Sequence, residues 1–213
     1  MPDDPGEIAR RLQSTVRSDL HLPCSLGVAT NKLVAKIATD VGKLKSTGNA
    51  PPNAITIVTP GQEAEFLAPL PVRALWGVGP KSAAKLVALG IRTIGDLANY
   101  PANELSRIFG KIGREFSLHA QGIDNRPITT VHEPKSISQE VTFAHDVVDR
   151  GYLQTTLHVL CEAVGKHLRD ENRIGNTVKI KLRWADFITI TRQTTLCFPT
   201  DRDELIYLAA LEL

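Results

Sequence analysis

The sequence predicts an α+β protein built in three pieces, and three observations carry that reading. Residues 176–184 alternate apolar and polar without a break, as a half-buried strand does. Residues 63–122 hold only short helical patterns separated by glycine turns. Residues 5–41 read as a helix, a short apolar strand and a second helix.

Taken in order, Asp4-Pro5-Gly6-Glu7 is a capping-box-like start, and Ile8, Leu12, Thr15 and Val16 give a helical stripe to about Asp19. Leu22 to Val28 is a short apolar strand. Thr30 is placed to cap a second helix whose apolar face is Leu33, Val34, Ile37, Ala38 and Val41. A single strand finds no partner inside that segment, so the piece is too small to fold well alone. Residues 42–54 form a Pro-rich loop, and Ala54 to Val58 is extended.

Helical pieces at 62–67 and 71–75 then lead to the turn Gly77-Val78-Gly79. A helix from Pro80 to Leu89 begins with proline, where the missing N–H has no helical partner to lose, and Gly90 closes it. Helices near 93–98 and 101–109 reach a second turn, Gly110-Lys111-Ile112-Gly113, and a last helix to Gln121. Residues 122–134 are polar, contain Pro127 and read as a linker.

The remainder alternates strand and helix. Ser136 to Phe143 puts Ile137, Val141 and Phe143 on one face; an amphipathic helix follows from Asp149 to about Asn172, through Leu153, Leu157, Leu160, Cys161, Val164 and Leu168. In the strand to Trp184, Val178, Ile180, Leu182 and Trp184 face in, while Thr177, Lys179, Lys181 and Arg183 face out. A turn at Ala185-Asp186 leads into a strand from Phe187 to Phe198, and Thr200 or Asp201 caps a final helix. The order βαββα is a ferredoxin-like βαββαβ unit without its last strand. The domain reading is therefore 1–60, 61–121, a linker at 122–134, and 135–213.

Composition narrows the function classes. The 213 residues suit one large domain or two small ones, with 42% hydrophobic and 23% charged residues. No run of about 18 apolar residues exists, which excludes a membrane-spanning helix. Met1-Pro2-Asp3-Asp4-Pro5 is acidic and proline-broken, the wrong chemistry for a signal or transit peptide. Cys24, Cys161 and Cys197 are scattered and odd in number, so they read as small buried hydrophobes in a reducing cytoplasm. His21, His119, His132, His145, His158 and His167 show no metal-ligand spacing. The net charge of +2 does not announce a nucleic-acid binder, so such a reading rests on local patches.

Three patches qualify. A turn between short helices can hold a phosphate on consecutive backbone N–H groups. Gly77 and Gly79 let the backbone approach closely with Lys81 beside it, and Gly110, Lys111 and Gly113 repeat the arrangement. Read as helix-hairpin-helix motifs, these turns recognise the DNA backbone and position it without specifying sequence; read otherwise, they are glycine-capped connectors. The second patch is the strand pair carrying Lys179, Lys181 and Arg183, with Thr189, Thr191 and Arg192 on the following strand. Between 173 and 192 there are five Lys or Arg and one acid, although a solvated sheet face would look the same. The third is Lys32, Lys36 and Lys43, which share one stripe of the helix after Thr30.

Four motifs then occur in one order. Cys24 through Asp40, with the core Thr30-Asn31-Lys32-Leu33-Val34-Ala35-Lys36, resembles the last palm motif of DinB-type Y-family DNA polymerases. Leu75-Trp76-Gly77-Val78-Gly79 resembles that family's thumb hairpin, and Lys135 through Phe143 the entry to its little finger. Lys181-Leu182-Arg183-Trp184-Ala185-Asp186-Phe187, with Thr191-Arg192, resembles that domain's central hairpin. The resemblance implies a partial palm, a helix-hairpin-helix thumb and a little finger cut short, together the DNA-binding portion of an error-prone translesion polymerase.

It also implies roles. Lys36, with Lys32 beside it, would meet the incoming nucleotide's triphosphate. Gly77, Gly79, Lys81, Gly110, Lys111 and Gly113 would hold primer and template phosphates. Ser136, Ser138, Arg183, Thr189, Thr191 and Arg192 would grip the template backbone. Family members hold two Mg²⁺ ions on an early aspartate and a later Asp-Glu pair, and both elements lie upstream of the motif with which this chain begins. Asp3, Asp4, Glu7, Asp19 and Asp40 are the only acids before residue 44, and none forms a strand-end pair with a third carboxylate converging on it. The chain alone is therefore expected to bind primer–template DNA without synthesis and to hold no metal; a separately encoded palm–fingers half is one partner the resemblance allows, beside the reading of the chain as a fragment of a longer gene. The resemblance also implies a sliding clamp as the family's partner, with the tail that binds it expected beyond the little-finger segment seen here. Two other readings stay open at this point: a free-standing helix-hairpin-helix accessory protein, and a small α+β metabolic enzyme with the glycine turns as caps.

Overall fold

The computed structural model describes residues 4–44, 51–131 and 133–213. Asp3, the Lys45–Ala50 part of the Pro-rich loop and His132 lie outside the described residues. The chain divides into two compact units, residues 1–129 and 130–213. No helix among the described residues is long and apolar enough to cross a membrane.

Unit 1 opens with α1 (Pro5–Leu20), whose first turn is capped as expected: the Asp4 carboxylate accepts from the Glu7 N–H at 3.1 Å. Strand β1 (Leu26–Val28) leads into α2 (Lys32–Leu44), and β2 (Ile55–Ile57) returns beside β1 in parallel, pairing Leu26 with Ile55 and Val28 with Ile57. The partner that β1 requires is thus the extended stretch after the loop, closing a βαβ unit. Asn31, rather than Thr30, caps α2: its Oδ1 accepts from the Val34 N–H at 3.0 Å. The Thr30 hydroxyl is engaged elsewhere, donating to Glu63.

The short helices follow closely: α3 (Glu63–Leu67), a 3₁₀ turn (Val72–Ala74), α4 (Pro80–Ala88), α5 (Ile94–Asn99), α6 (Ala102–Phe109) and α7 (Lys111–Ala120). Thr93 and Asp96 close a capping box on α5. Helices this short are marginal alone and hold their shape through packing. One apolar cluster supplies it, running from Leu33, Val34 and Ile37 of α2 through Leu67, Leu75, Leu86, Leu97 and Leu105 to Phe116. The boundary expected at residue 60 falls inside this cluster.

The expected linker is tied down in its first half. The Asp124 carboxylate, 1% exposed, accepts two hydrogen bonds from the Arg126 guanidinium at 2.7 and 2.8 Å. That guanidinium also stacks over the Trp76 ring, 4.9 Å from its centroid. The Arg126 hydrogen bonds hold the Asp124 carboxyl down to about 2, against the penalty of burial. Burial lowers the neighbouring His119, and the Arg126 charge acts in the same direction.

Unit 2 consists of α8 (Arg150–Asp170), β3 (Gly175–Arg183), β4 (Thr189–Thr200) and α9 (Asp203–Leu211). The two strands pair antiparallel, with Lys181 opposite Thr191 and Leu182 opposite Ile190. Asp149 caps α8 by accepting from the Tyr152 N–H. Cys161, Leu168, Ile206 and Ala210 form the core, with Ile137, Leu157, Val164, Val178, Ile180 and Tyr207 packed on it.

Five local expectations change here. Residues 136–143 are not a strand: among the described residues, no backbone–backbone hydrogen bond ties 135–148 to β3 or β4, and a strand exists only through its ladder. Ile137 nevertheless reaches the core while Ser136 and Ser138 stay exposed. Leu182 and Trp184 share the face of Val178 and Ile180 but remain 52% and 45% exposed, because the outer hairpin lies beyond the apolar cluster. β4 begins two residues later than expected, since Phe187 takes a left-handed conformation that closes the turn with Trp184. Arg202 occupies the cap position of α9 without a side-chain bond; Thr200 accepts from the Arg202 N–H instead. Cys161 is buried, which pushes its thiol up to about 11, but Cys197 is exposed on β4.

The Asp124–Arg126 pair predicts a pH dependence. The folded pKa lies below the ordinary value of 3.8, so the pair's contribution is complete above about pH 5 and is lost as pH falls through about 2. Asp124→Asn should reduce unfolding free energy at neutral pH by about 2 kcal/mol. In urea denaturation, the gap from the unsubstituted chain should close as pH falls from about 4 to about 2.

Candidate nucleic-acid interface

The first glycine turn joins the 3₁₀ turn to α4. Val78 donates to the Leu75 carbonyl and Ala83 to the Gly79 carbonyl, which starts the helix. Among the described residues, the backbone N–H groups of Gly77, Gly79, Lys81 and Ser82 have no hydrogen-bond partner. Gly77 has φ +97°, a conformation that side chains rarely adopt, and no Cβ on Gly79 would meet anything within 4 Å. Leu75 and Val78 are buried on either side, so the turn is held from below and open above. The Lys81 side chain is exposed beside it. Free N–H groups, a helix N-terminus and a cation together form an anion seat.

The second turn is built differently. Gly110 ends α6 and starts α7 with φ +66° and ψ −144°, a backbone that favours glycine. Gly113 is buried, donates its N–H to the Gly110 carbonyl, and sits where a Cβ would fall on the Leu105 carbonyl oxygen. Its glycine serves the close approach of α6 and α7. The N–H groups of Lys111 and Ile112 are the ones without a partner among the described residues. Lys85 joins the hairpins, donating to the Ile108 carbonyl at 3.1 Å and lying over the Phe109 ring.

On α2, Lys36 and Lys32 share the exposed stripe expected of them. The Lys36 ammonium meets Asp40 at 2.6 Å, with Lys43 3.9 Å from the same carboxylate. An exposed i,i+4 pair is worth only about 0.3–0.5 kcal/mol, so a polyanion can take Lys36 from Asp40. Lys32 points to a different place: its ammonium donates to the Pro127 carbonyl at 2.7 Å.

The sheet face in unit 2 is sorted by register. Residues directly opposite share a face, so Lys181 and Thr191, Arg183 and Thr189, and Lys179 and Gln193 line one side. Arg183 donates to Thr189 at 3.0 Å and lies over the Phe187 ring. Arg192 sits opposite Ile180, on the side that carries Val178 and the core. The strand period of two separates it from Thr191, its neighbour in sequence.

Sequence reasoning missed Asn31, Asp124 and Arg126, whose partners are far away in sequence or hidden in a segment that looked like a tether. No group of three His, Cys, Asp or Glu among the described residues is placed to hold a metal ion. Asp4 caps α1, Asp19 accepts from Ser18 at 2.6 Å, and Asp40 faces two lysines. The described residues do not fit a two-metal centre. His158 packs edge-on to Tyr207, 4.8 Å between centroids, a structural contact.

Comparison with known proteins agrees along the chain. Three family models match in order: the impB/mucB/samB family at residues 3–40, the IMS family HHH motif at 60–91, and the impB/mucB/samB family C-terminal domain at 134–213. A DNA polymerase IV of Desulfatibacillum aliphaticivorans is 41% identical over 207 residues, 97% of this chain and 50% of that protein. One from Oceanobacillus iheyensis is 36% identical over 212 residues, 99% of this chain and 49% of that protein. The chain thus spans about half the length of the curated relatives it matches. Among solved structures, a Y-family DNA polymerase chimera of Dbh and Dpo4 superposes with TM-score 0.75 at 22% identity, covering 98% of this chain and 57% of that one. A DinB family error-prone DNA polymerase from Sulfolobus solfataricus does so at 0.52 and 21%, covering 98% and 59%. With that family's motifs falling in order on both units, this chain belongs to the impB/mucB/samB, DinB-like Y-family of DNA polymerases and carries that family's C-terminal domain.

Proposed function

We propose that this chain is the DNA-gripping portion of an error-prone translesion polymerase, holding primer–template DNA by its phosphates. The observation that carries the reading is the first glycine turn, where partnerless N–H groups of Gly77, Gly79, Lys81 and Ser82 surround a helix start beside an exposed lysine. Such a seat reads charge and geometry and ignores base identity. Lys111, beside Gly110, supplies the second phosphate contact, and Gly113 contributes by letting α7 approach α6. In unit 2, Lys179, Lys181, Arg183, Thr189 and Thr191 form the surface that tracks the template backbone, with Ser136 and Ser138 on the segment before α8. Arg192 lies outside that surface by register. Lys36 is the group that meets the incoming triphosphate once a palm–fingers polypeptide completes the nucleotide site. The division into palm remnant (1–60), thumb (61–121), tether (122–134) and little finger (135–213) belongs to the same proposal.

Fluorescence anisotropy with labelled primer–template DNA over a salt series tests the grip. Binding should be insensitive to duplex sequence and should weaken with a log–log slope of about −0.9 per phosphate neutralised. Lys181→Gln should make that slope shallower by about 0.9, whereas Arg192→Gln should leave it unchanged. Absence of binding at low salt by the folded chain would contradict the reading.

Primer extension tests the division of labour. The purified chain with Mg²⁺ should extend no primer, and a palm–fingers polypeptide added in trans should confer extension that Lys36→Ala reduces. Extension by the chain alone that survives both Lys36→Ala and removal of host polymerases would refute it.

A further inference from the structure

Three consecutive side chains at the start of α2 reach three separate parts of unit 1. Thr30 donates to Glu63 at the first turn of α3. The Asn31 amide donates to the Gly122 carbonyl at 2.8 Å, 91 residues away, while its oxygen caps α2. The Lys32 ammonium donates to the Pro127 carbonyl at 2.7 Å, 95 residues away. Between those two carbonyls, Asp124 clamps Arg126 and Arg126 covers Trp76. Gly122 has φ +78°, and a Cβ there would press on Glu63, so the crossing point accepts glycine alone.

We propose that Thr30-Asn31-Lys32 is a positioning clasp that sets where the tether to unit 2 leaves unit 1. On this assignment Lys32 acts by donating to a backbone carbonyl and meets no phosphate. The clasp fixes residues 122–127, so the free tether starts near residue 128. Releasing it roughly doubles the tether's length, and a doubling weakens two-site binding only about threefold. The clasp therefore sets geometry more than affinity.

Hydrogen–deuterium exchange of the whole chain, read on peptides covering residues 119–131, tests this without DNA, so it stands or falls apart from the DNA-gripping reading. Asn31→Asp keeps the cap on α2, because a carboxylate accepts the Val34 N–H, but removes the donor to Gly122. Lys32→Met removes the donor to Pro127, and Lys32→Arg restores one. Asn31→Asp and Lys32→Met should each speed exchange in that segment roughly fivefold. Exchange in α4 to α7 should stay unchanged, and Lys32→Arg should match the unsubstituted chain. In the DNA titration, Lys32→Met should lower affinity by no more than about threefold with an unaltered salt slope. Unchanged exchange at 122–127, acceleration spread evenly over unit 1, or a shallower salt slope with Lys32→Met would each overturn the assignment.

Discussion

Burial of the α2 apolar face against the short helices is the interaction on which the rest of unit 1 depends. Leu33, Val34 and Ile37 contribute to the same cluster as Leu75, Leu86, Leu105 and Phe116, and without that cluster no helix of five to ten residues would persist in water. The glycine turns inherit their rigidity from it. Leu75 and Val78 are anchored below the first turn, which leaves the backbone N–H groups of Gly77, Gly79 and Lys81 fixed and open to solvent. An anion seat made of backbone groups needs that preorganisation, since donors already fixed in direction lose little conformational freedom on meeting a phosphate.

On the proposed reading, the two units meet phosphate by different chemistry. Unit 1 presents backbone donors at helix starts, which are fixed in direction and carry partial charge. Unit 2 presents full charges on long side chains from one side of a β-hairpin, which adapt to a phosphate ridge. Backbone donors and mobile cations both read charge and not base identity, which is the kind of grip the proposed function requires. The net charge of +2 conceals this, because several acids serve caps and pairs: Asp4 and Asp149 cap helices, Asp96 closes the Thr93 capping box by accepting from the Thr93 N–H, and Asp124 and Asp203 hold arginines.

Much of this was legible in the sequence where chemistry is local. Pro80 and Gly90 delimit α4, Asp149 caps α8, and the alternation from Val178 to Arg183 gives β3 its two faces, because each rests on neighbours a few residues away. Long-range partners were not legible. Asn31 takes the cap instead of Thr30 because α2 begins at Lys32, which puts Asn31 in the cap position. Residues 122–127 read as a polar linker because nothing in Asp124-Asn125-Arg126 announces Trp76 or α2 as its partner. The strand expected at 136–143 had the right period, yet a period cannot supply a neighbouring ladder. Arg192 shows the opposite case: register alone, once known, moves it off the basic face.

The most direct test is a ¹H–¹⁵N NMR titration of the chain with primer–template DNA, following backbone amides one by one. If the glycine turns hold phosphate, the amides of Gly77, Gly79, Lys81 and Lys111 should shift and gain protection in step with binding. Those of Gly90 and Gly113, one away from the seat and one already bonded, should move little. DNA binding that leaves the turn amides unmoved would contradict the account and assign the grip to side-chain charge alone.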